Sequence, residues 1–213
     1  MRTVYREIDV YFENRYIKTN GLLNCIGREL KVVVGKEEGQ DYIEVLKYLV
    51  DYILDYNPTI KPDQTIAYYS WILKLNSDDA PFYNLWEADS NGDGYIQGVD
   101  YSIQVIREQG EECKKHNVTP SFPTFAQNIV ISKGVYEGLA VDAVRYPSPS
   151  HMSGWWITTD LYDDNIDSLM NVHYYHLAFK RPDLLKYLAL PYGFRFYISE
   201  REKDVWFSQD VLE

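Results

Sequence analysis

Hydrophobic and polar positions along the chain follow patterns that predict a mixture of strands and helices. Three early segments are rich in Val, Ile and Tyr and partly alternate: TVYREIDVYFEN, RYIKTNGLLNCI and ELKVVVG. Such segments are typical of strands. Asn20-Gly21 is a turn signal within this stretch. The pattern therefore predicts an antiparallel meander at the start of the chain.

The clearest helical pattern lies in DYIEVLKYLVDYILDYNP. Tyr42, Leu46, Leu49 and Ile53 share one face, and polar residues form the opposite face. The Asn-Pro pair at its end terminates the helix, because the residue before a proline is disfavoured in the helical conformation. A second helix is predicted in VDYSIQVIREQGEECKKHN, whose terminal lysines suit the dipole of a helix C-terminus.

The rest of the chain predicts further strands and shorter helices. The expected strands are TIAYYSWILKLN, FYNLWEA, NIVIS, LAVDAVRYP, GWWITTD, FRFYIS and DVWFS, and the expected helices are LMNVHYYHLAF and PDLLKYLAL. The segment VTPSFPTFAQ holds two prolines and few charges, which is typical of a crossing or a domain boundary. The prediction is an α+β protein with mostly antiparallel sheets and packed helices. It comprises an N-terminal α+β region over residues 1–120 and a second α+β domain over residues 121–213.

Composition and charge narrow the class of partner. The 213 residues carry a formal net charge of −11, which argues against nucleic acid and suits a cationic protein. The N-terminus has no apolar signal region, and no run approaches the roughly 20 apolar residues of a membrane span. We therefore expect a cytoplasmic protein. Cys25 and Cys113 indicate core thiols rather than a disulfide framework.

The run EADSNGDGYIQGVD has the ligand spacing of a calcium loop. Counted from Asp89, oxygen donors fall at positions 1, 3 and 5 and a glycine at position 6, followed by a backbone carbonyl and a final carboxylate. These ligand positions hold Asp89, Asn91, Asp93, Tyr95 and Asp100. The alternative is an Asx-rich turn in which Asp100 caps the next helix. A bound calcium would be structural.

Two further groups of residues admit a chemical interpretation. His173 and His176 have a spacing that can chelate zinc if a third ligand is supplied, although such a pair is also typical of a packed helix face. No phosphate loop, dinucleotide fingerprint or nucleophile elbow is present in the sequence. The prediction is that the protein is not an enzyme and requires no cofactor.

An acidic stretch offers a candidate binding surface. From Tyr146 to Phe179 the chain has no Lys or Arg, and it carries Asp160, Asp163, Asp164 and Asp167. One interpretation is a solvated acidic face. The other is a docking surface for a basic partner, with Tyr162 or Trp156 as aromatic anchors.

The C-terminal stretch carries four motifs in order: a strand ending in ISKGVYEG, a strand with Arg145, the triplet Ser153-Gly154-Trp155 before an acidic loop, and the close RPDLLKYLALPYGFRF. With these motifs the stretch resembles the Imm33 (DUF2185) immunity-protein domain. Upstream, Gln109 and Cys113 match a Gln-x-x-x-Cys helix. The N-terminal half lies outside the resemblance.

The resemblance implies a bacterial immunity protein that binds and neutralises a cognate polymorphic toxin. The expected surface is acidic and aromatic, and the expected partner is a basic toxin; the oligomeric state is open. The surface residues are Trp155, Trp156, Asp160, Tyr162, Asp163, Asp164 and Asp167. The alternatives are a metal-dependent protein, either a calcium-stabilised module or a zinc hydrolase using His173 and His176, and a scaffold domain.

Overall fold

The computed structural model of the protein describes residues 2–213, which form two compact units divided between Gln104 and Val105. The strands are β1 (Arg2–Tyr5), β2 (Ile8–Glu13), β3 (Tyr16–Asn20), β4 (Glu29–Val33), β5 (Thr65–Tyr68), β6 (Trp71–Asp79), β7 (Phe82–Ala88), β8 (Tyr95–Gln97), β9 (Asn128–Ile131), β10 (Val141–Arg145), β11 (Met152–Thr158), β12 (Met170–His173), β13 (Phe194–Ile198) and β14 (Lys203–Phe207). The α-helices are α1 (Leu23–Ile26), α2 (Gly39–Tyr56), α3 (Asp100–Lys115) and α4 (Tyr174–Lys180). Short 3-10 helices cover Ile166–Ser168, Pro182–Tyr187 and Gln209–Val211.

The first unit is built on a sheet with the order β1-β2-β3-β4-β7-β6-β5, to which β8 adds beside β7. The first four strands are antiparallel neighbours, which confirms the predicted meander. The end of the predicted strand RYIKTNGLLNCI is wrong: Leu23–Ile26 form α1, and Cys25 there is exposed and is not a core thiol. Only the β4–β7 pair is parallel among the described strand pairs of this sheet. The segment TIAYYSWILKLN was predicted as one strand, and this is wrong. It forms the hairpin β5–β6, because Tyr69 takes a left-handed φ of 50° and turns the chain back.

Helix α2 covers this sheet with the face that its sequence pattern predicts. Tyr42, Leu46, Leu49 and Ile53 are all buried, together with Ile43 and the two valines of the helix. Fully burying an aliphatic side chain of this size contributes about 1.5–3 kcal/mol, so this face anchors α2 to the sheet.

The second unit holds a six-stranded sheet with the order β12-β9-β11-β10-β13-β14. All neighbours are antiparallel except β9 and β11. The segment LMNVHYYHLAF was predicted as one helix, but its first half is β12 and α4 begins only at Tyr174. The reason is tertiary: Met170–His173 pair in register with β9, and the Tyr174 amide donates to the Gln127 carbonyl at 2.8 Å.

The two sheets with their packed helices confirm the α+β class with mostly antiparallel strands. Among residues 2–213, no helix has the length and apolar character needed to cross a bilayer.

Candidate functional site

Trp155 lies in the core of the second unit and not on its surface. The ring is 0% exposed, and its Nε1 donates a hydrogen bond to the Leu188 carbonyl at 2.8 Å. Successive side chains of β11 point to opposite faces, so Trp155 turns inward while Trp156 is half-buried on the other side. The inclusion of Trp155 in the predicted binding surface is therefore corrected: it supports the domain from within.

Arg145 is a second motif residue that serves the core. Its side chain is buried at the end of β10 and donates to four carbonyl oxygens. Nε reaches Ser153 at 2.9 Å, and Nη1 reaches Ser121 at 2.7 Å and Leu190 at 2.5 Å. Burial lowers the pKa of Arg145 to about 10. Because a buried charge is costly without partners, these carbonyl groups are what allow the guanidinium to stay inside.

The guanidinium also lies over two aromatic rings. Its Cζ is 5.0 Å from the centre of the Tyr192 ring and 5.8 Å from that of Trp155. Rings at this distance attract a cation through their negative faces. Arg145 therefore ties β10 to the start of β11 at Ser153 and to the segment that carries Leu190.

The upstream helix contributes to the same segment. Gln109 on α3 donates from Nε2 to the Leu185 carbonyl at 2.9 Å, and the Cys113 thiol lies 3.4 Å from the Ala189 carbonyl. Four motif side chains, on α3, β10 and β11, thus satisfy carbonyl groups between residues 185 and 190. Unpaired carbonyls in a buried segment would be unfavourable, so these motif residues stabilise the fold.

The acidic residues that the sequence singled out fall together in one loop. We define the acidic loop as residues 160–168, between β11 and β12. Asp160, Asp163, Asp164 and Asp167 are all exposed, and Tyr162 is half-buried. The structure thus brings the four predicted carboxylates onto one solvent-facing segment.

Hydrogen bonds within the acidic loop give it a defined conformation. Asp163 Oδ1 accepts from the Ser168 hydroxyl at 2.9 Å and from the Asn165 amide at 3.1 Å. The hydroxyl bond is the larger cause of a lowered pKa at Asp163. Asn165 Oδ1 accepts from the Asp167 amide at 3.1 Å and so caps the 3-10 helix. The loop is held by its own side chains while its carboxylates face water.

Sequence reasoning missed the apolar residues of this surface. Leu161 is 52% exposed, Ile166 is 65% exposed, and Met170 at the start of β12 is 41% exposed. Exposed aliphatic side chains surrounded by polar residues are typical of contact surfaces when they cluster. Leu161 and Ile166 lie outside every predicted helix and strand, and Met170 was placed in a predicted helix, so periodicity could not indicate this exposure.

The aromatic residue Trp156 lies on the strand that leads into the acidic loop. Its ring meets the ring of Tyr146 edge-on, with centres 6.1 Å apart. Tyr146 is itself exposed. The two rings form a small aromatic pair on β11 and the end of β10.

The calcium-like run forms a hairpin turn in the first unit. The strand β7 enters it and β8 leaves it, where a calcium-binding helix–loop–helix would have a helix on the incoming side. The Asp89 amide donates to the Gly94 carbonyl at 2.9 Å, which closes the turn. Asp93 is exposed at its tip.

The last predicted calcium ligand has other partners. Asp100 begins α3, and its Oδ1 accepts from the Tyr42 hydroxyl at 2.5 Å while Oδ2 accepts from the Lys36 amide at 3.0 Å. No cluster of three or more His, Cys, Asp or Glu side chains able to hold a metal occurs within residues 2–213. Calcium binding by Asp89, Asn91, Asp93, the carbonyl of Tyr95 and Asp100 stays a prediction. A melt in calcium against a melt in chelator tests it.

The histidine pair lies at the junction of β12 and α4. The ring centres of His173 and His176 are 6.3 Å apart, and Tyr175 stacks on His173 at 5.3 Å. His173 Nδ1 lies 3.2 Å from the Ala126 carbonyl. The pair thus packs with an aromatic neighbour, and zinc binding also stays a prediction.

Comparison with known proteins identifies the second unit. The family model described as the Imm33-like domain matches residues 108–208. Searches of the curated proteins and of the solved structures returned no match. The matched range contains the buried motif residues and the acidic loop, and it confirms the family resemblance of the C-terminal half. Residues 108–208 of this chain therefore match the Imm33-like domain, as the resemblance of the C-terminal half predicts.

Proposed function

We propose that this protein is an immunity protein that neutralises a basic toxin by binding it with the acidic loop. The observation that carries the proposal is the composition of this loop, in which four exposed carboxylates surround the exposed side chains of Leu161 and Ile166. The Imm33-like domain supports a toxin as the partner in general terms. Binding alone would neutralise the toxin, so the proposal needs no catalytic group.

Charge and apolar area would make different contributions to such a complex. The formal net charge of −11 and the absence of Lys and Arg from Tyr146 to Phe179 create a negative field at this surface. Such a field raises the association rate with a cationic protein. Burial of Leu161 and Ile166 would slow dissociation, since apolar area removed from water stabilises the complex.

The experiment uses the toxin encoded by the neighbouring open reading frame. The purified chain is mixed with the C-terminal domain of that toxin, and complex formation and residual toxic activity are measured. A double variant, Leu161→Ser with Ile166→Ser, is expected to weaken binding about thirtyfold to a thousandfold, because each aliphatic group contributes about 1–2 kcal/mol when buried.

The matched control is Leu212→Ser, which changes an exposed leucine of the same unit that lies beside Gly193 and follows β14. It is expected to bind as the unaltered protein does. Failure of the unaltered protein to bind or neutralise the toxin would contradict the proposed function. Equal binding by the double variant would contradict the placement of the surface.

A further inference from the structure

The strand β12 forms an open edge of the six-stranded sheet. It pairs with β9 on one side, and it stands at the end of the strand order. Met170, Asn171 and His173 are all exposed, and Val172 is half-buried. An edge strand presents unpaired backbone N–H and C=O groups that can bind another extended chain.

The register identifies which backbone groups point outward. In an antiparallel pair, residues alternate between those that exchange hydrogen bonds with the partner strand and those that do not. The Tyr174 amide donates to the Gln127 carbonyl, and the same register pairs Val172 with Ile129. The bonds to β9 therefore come from Val172 and Met170. The backbone N–H groups of Asn171 and His173 and the carbonyl of Asn171 face away from the sheet, whereas the His173 carbonyl is at the N-cap of α4 and accepts the first hydrogen bond of that helix.

The opposite edge of the same sheet is built differently. There β14 carries Lys203 at its first position, and charged residues, lysine above all, are a common device against unwanted strand pairing. No Lys, Arg, Pro or Gly occurs within β12. Of the two edges of this sheet, β12 is thus the one without a protecting residue.

The acidic loop lies at the end of the sheet where β12 begins. Met170 pairs with Ile131 at the end of β9, and the loop runs directly into this position. An extended segment added along β12 would therefore have one end beside Asp163 and Asp167. Lysine or arginine at that end of the segment would complement the carboxylates.

We propose that β12 binds an extended, basic segment of the toxin as an additional strand of the sheet. The inference rests on the proposed function and names the part of the partner that is recognised. Backbone hydrogen bonds to Asn171 and His173 provide the pairing, and the acidic loop selects for positive charge at one end. A second copy of this chain is disfavoured as the occupant, because each copy carries a net charge of −11.

A synthetic peptide provides a probe that does not depend on the toxin. The peptide is acetyl-Lys-Val-Lys-Val-Lys-Val-Lys-amide, and its counterpart has Glu in place of each Lys. Binding to the full chain is followed by NMR, with amide hydrogen exchange measured residue by residue. The basic peptide is expected to slow exchange at the amides of Asn171 and His173, and the acidic peptide is expected to leave both unchanged.

Variants at the two sheet edges provide the control. Asn171→Pro removes an outward N–H without removing a bond to β9 and is expected to weaken peptide binding about tenfold. Val205→Pro removes the corresponding outward N–H on β14, because the amide of Ser208 bonds to Gly193 and sets the alternation there. We expect Val205→Pro and Asn171→Ala to bind as the unaltered protein does.

Several outcomes would overturn the inference. These are no binding at millimolar peptide, protection at β14 in place of β12, equal binding by Asn171→Pro, or a dimer of the free protein that Asn171→Pro abolishes. If Asn171→Pro does not fold, the inference is tested by the amide exchange rates of the unaltered protein with the basic and the acidic peptide. Toxin neutralised equally by the unaltered protein and by folded Asn171→Pro would refute the strand pairing and leave the proposed function standing. Toxin not neutralised by the unaltered protein would refute the proposed function, and the peptide data would still decide whether β12 pairs.

Discussion

Replacement of Arg145 by Met tests whether the motif residues of the domain hold the fold or act at its surface. Methionine has a similar length but no donors, so the carbonyl groups of Ser121, Ser153 and Leu190 would lose their partner. Those three bonds, at 2.7, 2.9 and 2.5 Å respectively, come from a charged donor. A hydrogen bond of this kind contributes about 1.5–3 kcal/mol, or about 5–9 kcal/mol for the three.

Part of that loss is offset when the charge is removed from the interior. Burial lowers the pKa of Arg145 from 12.5 to about 10, which corresponds to about 3 kcal/mol at 1.36 kcal/mol per pKa unit. Because burial lowers the pKa, the charged guanidinium is less stable in the folded protein than in the unfolded chain at neutral pH. The Met variant has no charge at this position and does not carry this cost. The expected net loss in the free energy of unfolding is about 2–6 kcal/mol.

The assay is urea denaturation followed by circular dichroism, with amide exchange in β10 and β11 to assign the transition to the second unit. The matched control is Arg195→Met on β13, where the arginine is partly exposed and its ion pair with Asp142 spans 3.4 Å. An exposed pair contributes about 0–1 kcal/mol, so this variant is expected to remain near the unaltered stability. An Arg145→Met protein as stable as Arg195→Met would refute the structural role assigned to Arg145.

Two further predictions concern local packing. Gly154→Ala is expected to cost about 2 kcal/mol or more in the free energy of unfolding, because φ is +86° and a Cβ would lie 2.4 Å from the Tyr146 carbonyl oxygen. Gly110→Ala in α3, where an added Cβ would have no heavy atom within 4 Å, is expected to raise the free energy of unfolding by about 0.5–1 kcal/mol. Thermal melts of both variants measure these changes. In the native protein a thiol reagent at pH 8 is expected to modify the exposed Cys25 rapidly and Cys113 only on unfolding, since burial raises the pKa of the Cys113 thiol to about 11. Rapid reaction of both thiols before unfolding would contradict the position of Cys113.

The elements that could be predicted from the sequence are those whose apolar residues recur with the spacing of a helix or a strand. The buried face of α2 and the meander β1–β4 follow directly from residue spacing, because one side of each element is apolar. Within LMNVHYYHLAF, the prediction of a helix over the second half is confirmed by α4, whereas Met170–His173 was predicted wrongly as helix, because residues of this kind suit a helix and a strand alike. Only pairing with β9 decides between them, and that contact is distant in sequence.

The charge of the candidate surface could be predicted from the sequence, but the exposure of its individual side chains could not. Asp160, Asp163 and Asp164 could be placed on a surface because the surrounding stretch lacks basic residues. The burial of Trp155 could not be read from its neighbours, since adjacent tryptophans on a strand face opposite sides and the sequence does not say which one is inside. The exposure of Ile166 depends on the loop conformation, which hydrogen bonds of Asp163 and Asn165 define.

The most direct measurement is the association rate of the toxin with a charge-reversed acidic loop. The variant carries Asp160→Lys, Asp163→Lys and Asp164→Lys, and its control carries Glu200→Lys, Glu202→Lys and Asp204→Lys, which change the net charge equally on the exposed β13–β14 hairpin. At low salt, the account predicts that the loop variant associates about tenfold to a hundredfold more slowly than the control, and that added salt narrows the difference. Equal association rates for the two variants would contradict the assignment of the acidic loop as the binding surface.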